Sequence, residues 1–564
     1  MPLETTVEQE LETRPDRELG ASIRRNATVG DPVQRWLEAR LSFFVFAVIA
    51  AAFYLRAHAA GWGFLNPDEG LHYIILNQRS VEMAYDLSLT NAHPPLIYLL
   101  LYYWRFLGSS ELMLRMPSVL AGTAFCWFAY KWIATLFGRV AGTTGLILVA
   151  FSPVMIALSA EVRSYALLLF CETAALYFAE TALLEKSARK LWLFFGFLYL
   201  AILSHYSAVF LTVALGVYML ARLAKDQFPR EFIARWAAGQ AGALAIYGFL
   251  YVTHVSKLKS YVSMWAVSFD KAYSHTGHEK FLTYARERTL DIFTFLFENH
   301  LAAQVLCLLW IAAVAALLLR NWTVRWKHSL YLYTGMLMIL PLLCVFTAGV
   351  AGLYPYVGSR HTIFLAPFLI AALSFLFTRI TREKLWAAML IGFLLIGISD
   401  VSAKEIEPYI AKENQSRTLM KAAMDHIHQT IPPGSLIMTD YQSALLLVYY
   451  LCGPELILPV GMFNLPTSRL KCNGYTIASF QAWDMQAPFF LSQFGMLARA
   501  QRVNPGANVW IFQSGWDPAL AQELPLASPQ FRCVKPTTFG GNISLFQLAV
   551  GPDFSPIPPG SGCL

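Results

Sequence analysis

Asn66-Pro67-Asp68-Glu69 places two adjacent carboxylates just after the first long apolar run, near 41–60. Hydrophobic residues make up 56% of the chain and charged residues only 14%, so acidic pairs are scarce. One at the lip of an apolar segment must be solvated or hold something. Further polar groups able to do chemistry are His72, His93, Arg115, Glu161, Arg163, His205, Tyr206, Arg360 and His361, each at the end of an apolar run or in the loop beside it. Carboxylates and guanidiniums gathered in this way suit group transfer from a phosphate ester. A departing phosphate oxygen is stable as an anion and needs positive charge near it, which arginine supplies in bidentate form. An acceptor hydroxyl is a weak nucleophile and benefits from a carboxylate base. Asp68 suits the base, and Arg163, Arg360 or His361 suit the phosphate.

Each of these residues has a plainer reading. Asp68 and Glu69 could cap a helix starting at Gly70, where acids favour the positive N-terminus. His93-Pro94-Pro95 could merely start a helix. Glu161 and Arg163 could be a surface ion pair of little energetic worth. Arg360-His361 could anchor to lipid headgroups, and His205-Tyr206 could be an ordinary turn. Their shared side of the membrane is what favours the chemical reading.

That side follows from the elements that must position them. The chain has 564 residues and a mean hydropathy of +0.47. A bilayer-spanning helix needs about 20 apolar residues. By that criterion roughly eleven spans are expected, near 41–60, 113–136, 140–159, 164–183, 189–204, 206–222, 236–253, 301–319, 329–351, 361–378 and 384–399. The first is too long, and too far from the N-terminus, for a cleaved signal peptide. Residues 1–40 read as a cytoplasmic tail with a short amphipathic turn near Val33–Leu41. Arg24, Arg25, Arg35 and Arg40 precede span one, and further Lys/Arg clusters follow every second span, as at Lys186, Arg189 and Lys190. Basic loops face the cytoplasm, so the N-terminus is inside and an odd span count puts the C-terminus outside. The net charge of +7 then serves orientation and lipid headgroups, not nucleic acid. The segment 94–108 is apolar but short and contains Arg105, so it is read as an interfacial helix lying on the outer leaflet, with a short tilted span as the alternative.

The periodicity changes after Ser399. Turn signals such as Pro432-Pro433-Gly434 punctuate the remainder. Ser435–Thr439, Asn508–Gln513 and Ile543–Val550 read as strands, and Tyr441–Leu451 as a helix capped by Asp440. The fold class expected is an α-helical polytopic membrane protein with a C-terminal extracytoplasmic α/β domain. The divisions are 1–40, a membrane domain at 41–400 whose first outer loop is 61–112, and 401–564. Cys126, Cys171, Cys307 and Cys344 lie in spans as packing residues. Cys452, Cys472, Cys533 and Cys563 lie in the outer domain, where disulfides are permitted and three pairings are open.

Three motifs, Asn66-Pro67-Asp68-Glu69-Gly70, His93-Pro94-Pro95-Leu96-Ile97-Tyr98 and Leu114-Arg115-Met116-Pro117-Ser118, follow the first span in sequence. They resemble, in that order, the motifs of polyprenyl-phosphate-sugar-dependent glycosyltransferases of the GT-C fold. Glu161-Val162-Arg163-Ser164-Tyr165 and Ser359-Arg360-His361 are also similar. The nearest branches are bacterial relatives of protein O-mannosyltransferases (glycosyltransferase family 39) and the lipid A aminoarabinose and core galacturonic acid transferases. The resemblance covers about residues 40–400. It implies an inverting transferase that draws on a lipid-phosphate sugar and carries the catalytic role onto Asp68, with Glu69 beside it. Arg163, Arg360 and His361 would then bind donor phosphate, and His93, Glu161, Tyr165, His205 and Tyr206 would line the substrate site. His93 stands where some relatives have lysine. Paired carboxylates and a histidine (Asp68, Glu69, His93) are also compatible with a divalent metal.

The function expected is sugar transfer to an acceptor hydroxyl of a lipid, glycan or protein, at the outer face of a bacterial inner membrane. The alternative is a non-enzymatic transporter or flippase of a lipid-linked saccharide. A transporter would show repeats and polar residues at the bilayer midplane. The sequence shows few such residues and no convincing repeat.

Overall fold

The computed structural model describes residues 32–258, 273, 280–323, 329–402, 415–458, 467–480, 482, 485–516, 518–540 and 543–559. Most of the expected cytoplasmic tail, and Cys563, lie outside the described residues. Each segment read as a span is helical. By length and composition, seven of these helices can cross a membrane, or up to eight if the bent pair Arg139–Phe151 and Pro153–Ser159 is one span. Ala188–Ser204 falls short in length, with 17 residues. Leu385–Ser399 counts among the shorter apolar helices.

Two helices are central. The apolar windows of Arg360–Ile380 and Tyr165–Glu185 are 83% and 72% buried, against 28% for Leu41–Trp62. The peripheral helix therefore turns most of its apolar surface outward, as a lipid-facing helix must. The two central helices carry Arg360 and Tyr165 at their N-termini, so the most buried of the membrane-length helices present site residues.

The bent pair breaks by 61° at Ser152-Pro153. Pro153 lacks an N–H and suits the first position of the second helix. The break frees carbonyls that have no water to meet in an apolar interior. Arg56, fully buried in the first span, supplies the donors: Nη1 reaches Ala150 O at 2.9 Å and Nη2 reaches Val149 O at 2.9 Å. Pro153–Ser159 then leads directly into the turn holding Glu161 and Arg163.

The segment after the first span forms three short helices, Pro67–Leu76, Val81–Ser88 and Leu96–Trp104. Arg105 folds back to cap the first of them, donating to Leu76 O at 2.8 Å and Gln78 O at 2.6 Å.

The expected α/β domain follows the last bundle helix. Its strands are β1 (Leu436–Thr439), β2 (Thr467–Cys472), β3 (Tyr475–Phe480), β4 (Asn508–Ser514), β5 (Thr537–Thr538), β6 (Ile543–Val550) and β7 (Pro556–Ile557). The sheet order is β2-β3-β1-β4-β6-β5, with β7 on β6. β1 pairs parallel with β3 and β4, and the remaining pairings are antiparallel. Asp440 caps Tyr441–Leu447 as expected, accepting from Ser443 N at 2.8 Å. β2, β3 and the Ala487–Ala500 helix were not legible in the sequence. Cys452 and Cys472 form a disulfide with their Cα atoms 5.2 Å apart.

Candidate functional site

The Pro67–Leu76 helix begins three residues before Gly70, so the cap is Asn66 and not the acidic pair. Asn66 Oδ1 accepts Glu69 N–H at 3.0 Å, and Glu69 Oε2 accepts Asn66 N–H at 2.9 Å, a reciprocal capping box. Pro67 at the first turn needs no partner for an N–H. Both carboxylates therefore sit on the first helical turn, where the helix dipole favours them.

Their partners separate them. Glu69 takes a bidentate grip from Arg115, with Nε–Oε1 at 2.8 Å and Nη2–Oε2 at 2.6 Å. It also accepts Val162 N–H at 2.8 Å. Arg115 spends its other protons on the carbonyls of Ala60, Gly63 and Phe64 at 2.8, 2.7 and 2.9 Å. Glu69 is thus committed to joining the helix start, the Arg115 helix and the 160–164 turn.

Asp68 faces the other way. Its Oδ2 stands 2.9 Å from Arg163 Nη2 and 2.9 Å from Arg360 Nη2. Two helix starts and one turn, far apart in sequence, meet at this oxygen. Burial alone would push the Asp68 carboxyl up, but the two guanidiniums outweigh it and hold it below the usual carboxylate range.

Histidines and tyrosines surround the ion triad. His72 Nδ1 donates to Asp68 O at 2.7 Å, because a carbonyl can only accept. Burial, then the Arg163 charge, push His72 down to about 3, so its ring is neutral and Nε2 is a bare acceptor. His205 is likewise pushed to about 3 by burial and the same arginines, and its Nδ1 accepts Ser207 N–H at 3.1 Å. Burial and Arg163 also hold His93 well below its usual value. The His93 ring lies 5.2 Å from His205 and 6.0 Å from Tyr165, and Tyr165 lies 6.3 Å from His361. The Tyr98 ring lies tilted against His72, with their centroids 4.9 Å apart. The hydroxyls of Tyr98 and Tyr165, with His72 Nε2 and His93 Nδ1, are buried without a protein partner.

Glu161 is the second carboxyl of the cluster. It is 4% exposed, and neither oxygen has a hydrogen-bond partner. Burial and the nearby Glu69 charge push it up to about 8 against the pull of the arginines, so it is largely protonated at neutral pH.

The structure therefore brings Asp68, Glu69, His72, His93, Arg115, Glu161, Arg163, Tyr165, His205, Arg360 and His361 together. Tyr206 turns aside and hydrogen-bonds His254, whose Nε2 meets Asn91 O at 2.7 Å. Sequence reading passed over Tyr98 and Arg56. A lone arginine inside an apolar stretch was the available signal for Arg56.

The metal role weighed for Asp68, Glu69 and His93 does not fit the donors present. Among the described residues no group of three or more His, Cys, Asp or Glu is placed to hold a metal ion. Glu69 is saturated, and Asp68 Oδ2 faces two guanidiniums. What the arrangement offers is anion chemistry. Among Asp68, Glu69, Arg115, Arg163 and Arg360, three cations face two ionised carboxylates, leaving one positive charge in excess.

Residues 92–252 match the family model described as dolichyl-phosphate-mannose-protein mannosyltransferase. That stretch holds His93, Glu161, Arg163 and His205, but neither Asp68 nor Arg360. No curated protein matches the chain in sequence. Among solved structures, ArnT from Cupriavidus metallidurans bound to undecaprenyl phosphate is similar over 90% of this chain and 98% of its own, with a TM-score of 0.51 and 12% identity. The Archaeoglobus fulgidus oligosaccharyltransferase, tethered with an acceptor peptide containing the NVT sequon, is similar over 85% of this chain and 70% of its own, with a TM-score of 0.50 and 10% identity. At these identities the likeness speaks for the fold, which is of the GT-C type.

Proposed function

We propose that this GT-C-fold chain is a glycosyltransferase that moves a sugar from a polyprenyl-phosphate donor to an acceptor hydroxyl at the non-cytoplasmic face of a membrane. The observation that carries the reading is the single Asp68 carboxylate held between Arg163 and Arg360, each at 2.9 Å. The family match over 92–252 supports the donor class, as does the undecaprenyl phosphate in the ArnT structure. The alternation of basic loops supports the orientation.

The chemistry balances as an inverting displacement. The acceptor oxygen attacks the anomeric carbon as Asp68 takes its proton. The bond from that carbon to the phosphate oxygen breaks on the opposite side, and its electron pair leaves with polyprenyl phosphate. The donor phosphodiester carries one negative charge and the departing monoester two. The charge that develops in the transition state therefore falls where Arg163 and Arg360 stand, the condition for rate enhancement. The same guanidiniums keep Asp68 acidic while they pair with it. As phosphate draws them away, Asp68 becomes the stronger base. Glu69 is assigned the task of holding the Arg163 turn, not of moving protons. His93, Glu161, Tyr165 and His205 are assigned to the substrate wall. The 94–108 helix is assigned to the outer membrane interface.

Asp68→Asn tests the assignment. Transfer, read by mass spectrometry of envelope lipids and glycans from cells carrying each form, should fall by about 10²–10⁴-fold. Binding of undecaprenyl phosphate to the purified variant should be at least as tight as to wild type, because a rival anion is gone. Undiminished transfer would remove Asp68 from the mechanism, and lost phosphate binding would remove the arginine cradle.

A further inference from the structure

The helix bearing Asp68 is held from two sides. Beneath it lies the Tyr441–Leu447 helix of the α/β domain, so close that a Cβ on Gly70 would stand 3.1 Å from Leu445 O. Leu65, Ile74 and Leu76 share one apolar core with Leu445, Val448 and Leu451. Polar contacts fix the register. Tyr450 Oη accepts Leu65 N–H at 2.8 Å and donates to Glu111 Oε1 at 3.2 Å. Phe64 N–H donates to Gln415 O at 2.9 Å, and Tyr449 Oη donates to Ser109 O at 2.8 Å.

These contacts land on the backbone that frames the site. The carbonyls of Gly63 and Phe64 receive Arg115, Arg115 grips Glu69, and Glu69 holds the Val162 amide beside Arg163. A shift of 63–66 would therefore move the Asp68 helix and the Arg163 turn relative to each other. The Cys452–Cys472 disulfide ties the end of the turn bearing Tyr450 to β2, which fixes the anchor itself.

We propose that the C-terminal domain is a working part of the active site, with Tyr450 as a positioning residue that sets where Asp68 stands between Arg163 and Arg360. The activity readout rests on the transfer reading above. Loss of the Tyr450 hydroxyl leaves the buried Leu65 amide without its acceptor. A displacement of about an ångström at a reacting group costs on the order of 100-fold in rate, so a partial relaxation is expected to cost about tenfold.

Tyr450→Phe in the full-length purified protein keeps the ring and removes the hydroxyl. Turnover should fall about tenfold at unchanged donor KM, with binding of undecaprenyl phosphate within about twofold of wild type. Amide exchange over 65–72 should quicken. Glu111→Gln should give a smaller loss, because Leu65 N–H keeps its acceptor, and the double variant should be no worse than Tyr450→Phe alone, because Glu111 acts only through the Tyr450 hydroxyl. If Tyr450→Phe does not fold, Glu111→Ala, which removes the acceptor that orients the Tyr450 hydroxyl, carries the test through the same two readouts, turnover and exchange over 65–72, with a smaller expected change. Turnover near wild type despite faster exchange, or a KM rise that accounts for the whole loss, overturns the proposal. If wild type itself transfers nothing from polyprenyl-phosphate sugars, the transfer reading fails, and exchange still decides the positioning claim: unaltered protection over 65–72 overturns it.

Discussion

Asp68 and Glu69 are chemically near-identical neighbours, yet their surroundings give them opposite tasks. Glu69 has no oxygen to spare, while Asp68 is balanced between two cations that a stronger anion can take. The histidines around them stay neutral because burial and the arginines act in the same direction. Glu161 is the residue whose titration should be visible. Its carboxyl is raised from about 4.5 to about 8, so between those values the folded chain keeps a proton that the unfolded chain has released. That contribution to stability is complete below about 4.5 and is lost as pH rises through about 8, with a slope of up to about 1.4 kcal/mol per pH unit. Thermal unfolding in detergent at pH 5, 6.5 and 8 should show this slope in wild type and a flatter one in Glu161→Gln. Equal slopes would mean that Glu161 titrates normally.

At the scale of elements, the broken span and its arginine explain how a polar turn is delivered precisely where apolar helices end. Ser152-Pro153 stops one helix and starts the next, and Arg56 satisfies the carbonyls that the break releases. Arg56→Leu should orphan the Val149 and Ala150 carbonyls at about 1–3 kcal/mol each, read as a lowered unfolding midpoint. A midpoint unmoved by the change would show that the break is held by its own packing. Much of this level was legible. The apolar runs became helices, the Asp440 cap and the Ile543–Val550 strand appear where patterning put them, and the segment 94–108 is helical over most of its length. The plainer reading, in which Asp68 and Glu69 cap a helix starting at Gly70, begins that helix three residues late, because a proline at the first helical turn and acids just inside it fit more than one helix start.

At the scale of the molecule, the helical bundle and the α/β domain close around the short helices that follow the first span. Phe64, Leu65, Tyr73 and Ile74 are covered by residues more than three hundred positions later in the chain. A chain ended at Ser402 would leave that apolar face to solvent. Uncovered faces of this kind drive association, so the shortened protein should elute as a broad, aggregated species in the detergent where the full chain is monodisperse. A sharp peak for the shortened chain would show that the first-loop helices complete their own core.

The amino-acid sequence by itself determined that the chain is built of membrane-length helices, that its basic loops alternate, and that its reactive residue types lie at helix ends. Each of these is a local pattern, set by hydropathy and charge along one dimension. Only the tertiary structure decided that Asp68 meets Arg163 and Arg360 while Glu69 meets Arg115, and that the last domain grips the helix carrying both acids. Those pairings depend on how helices remote in sequence pack against one another, and no spacing along the chain encodes that.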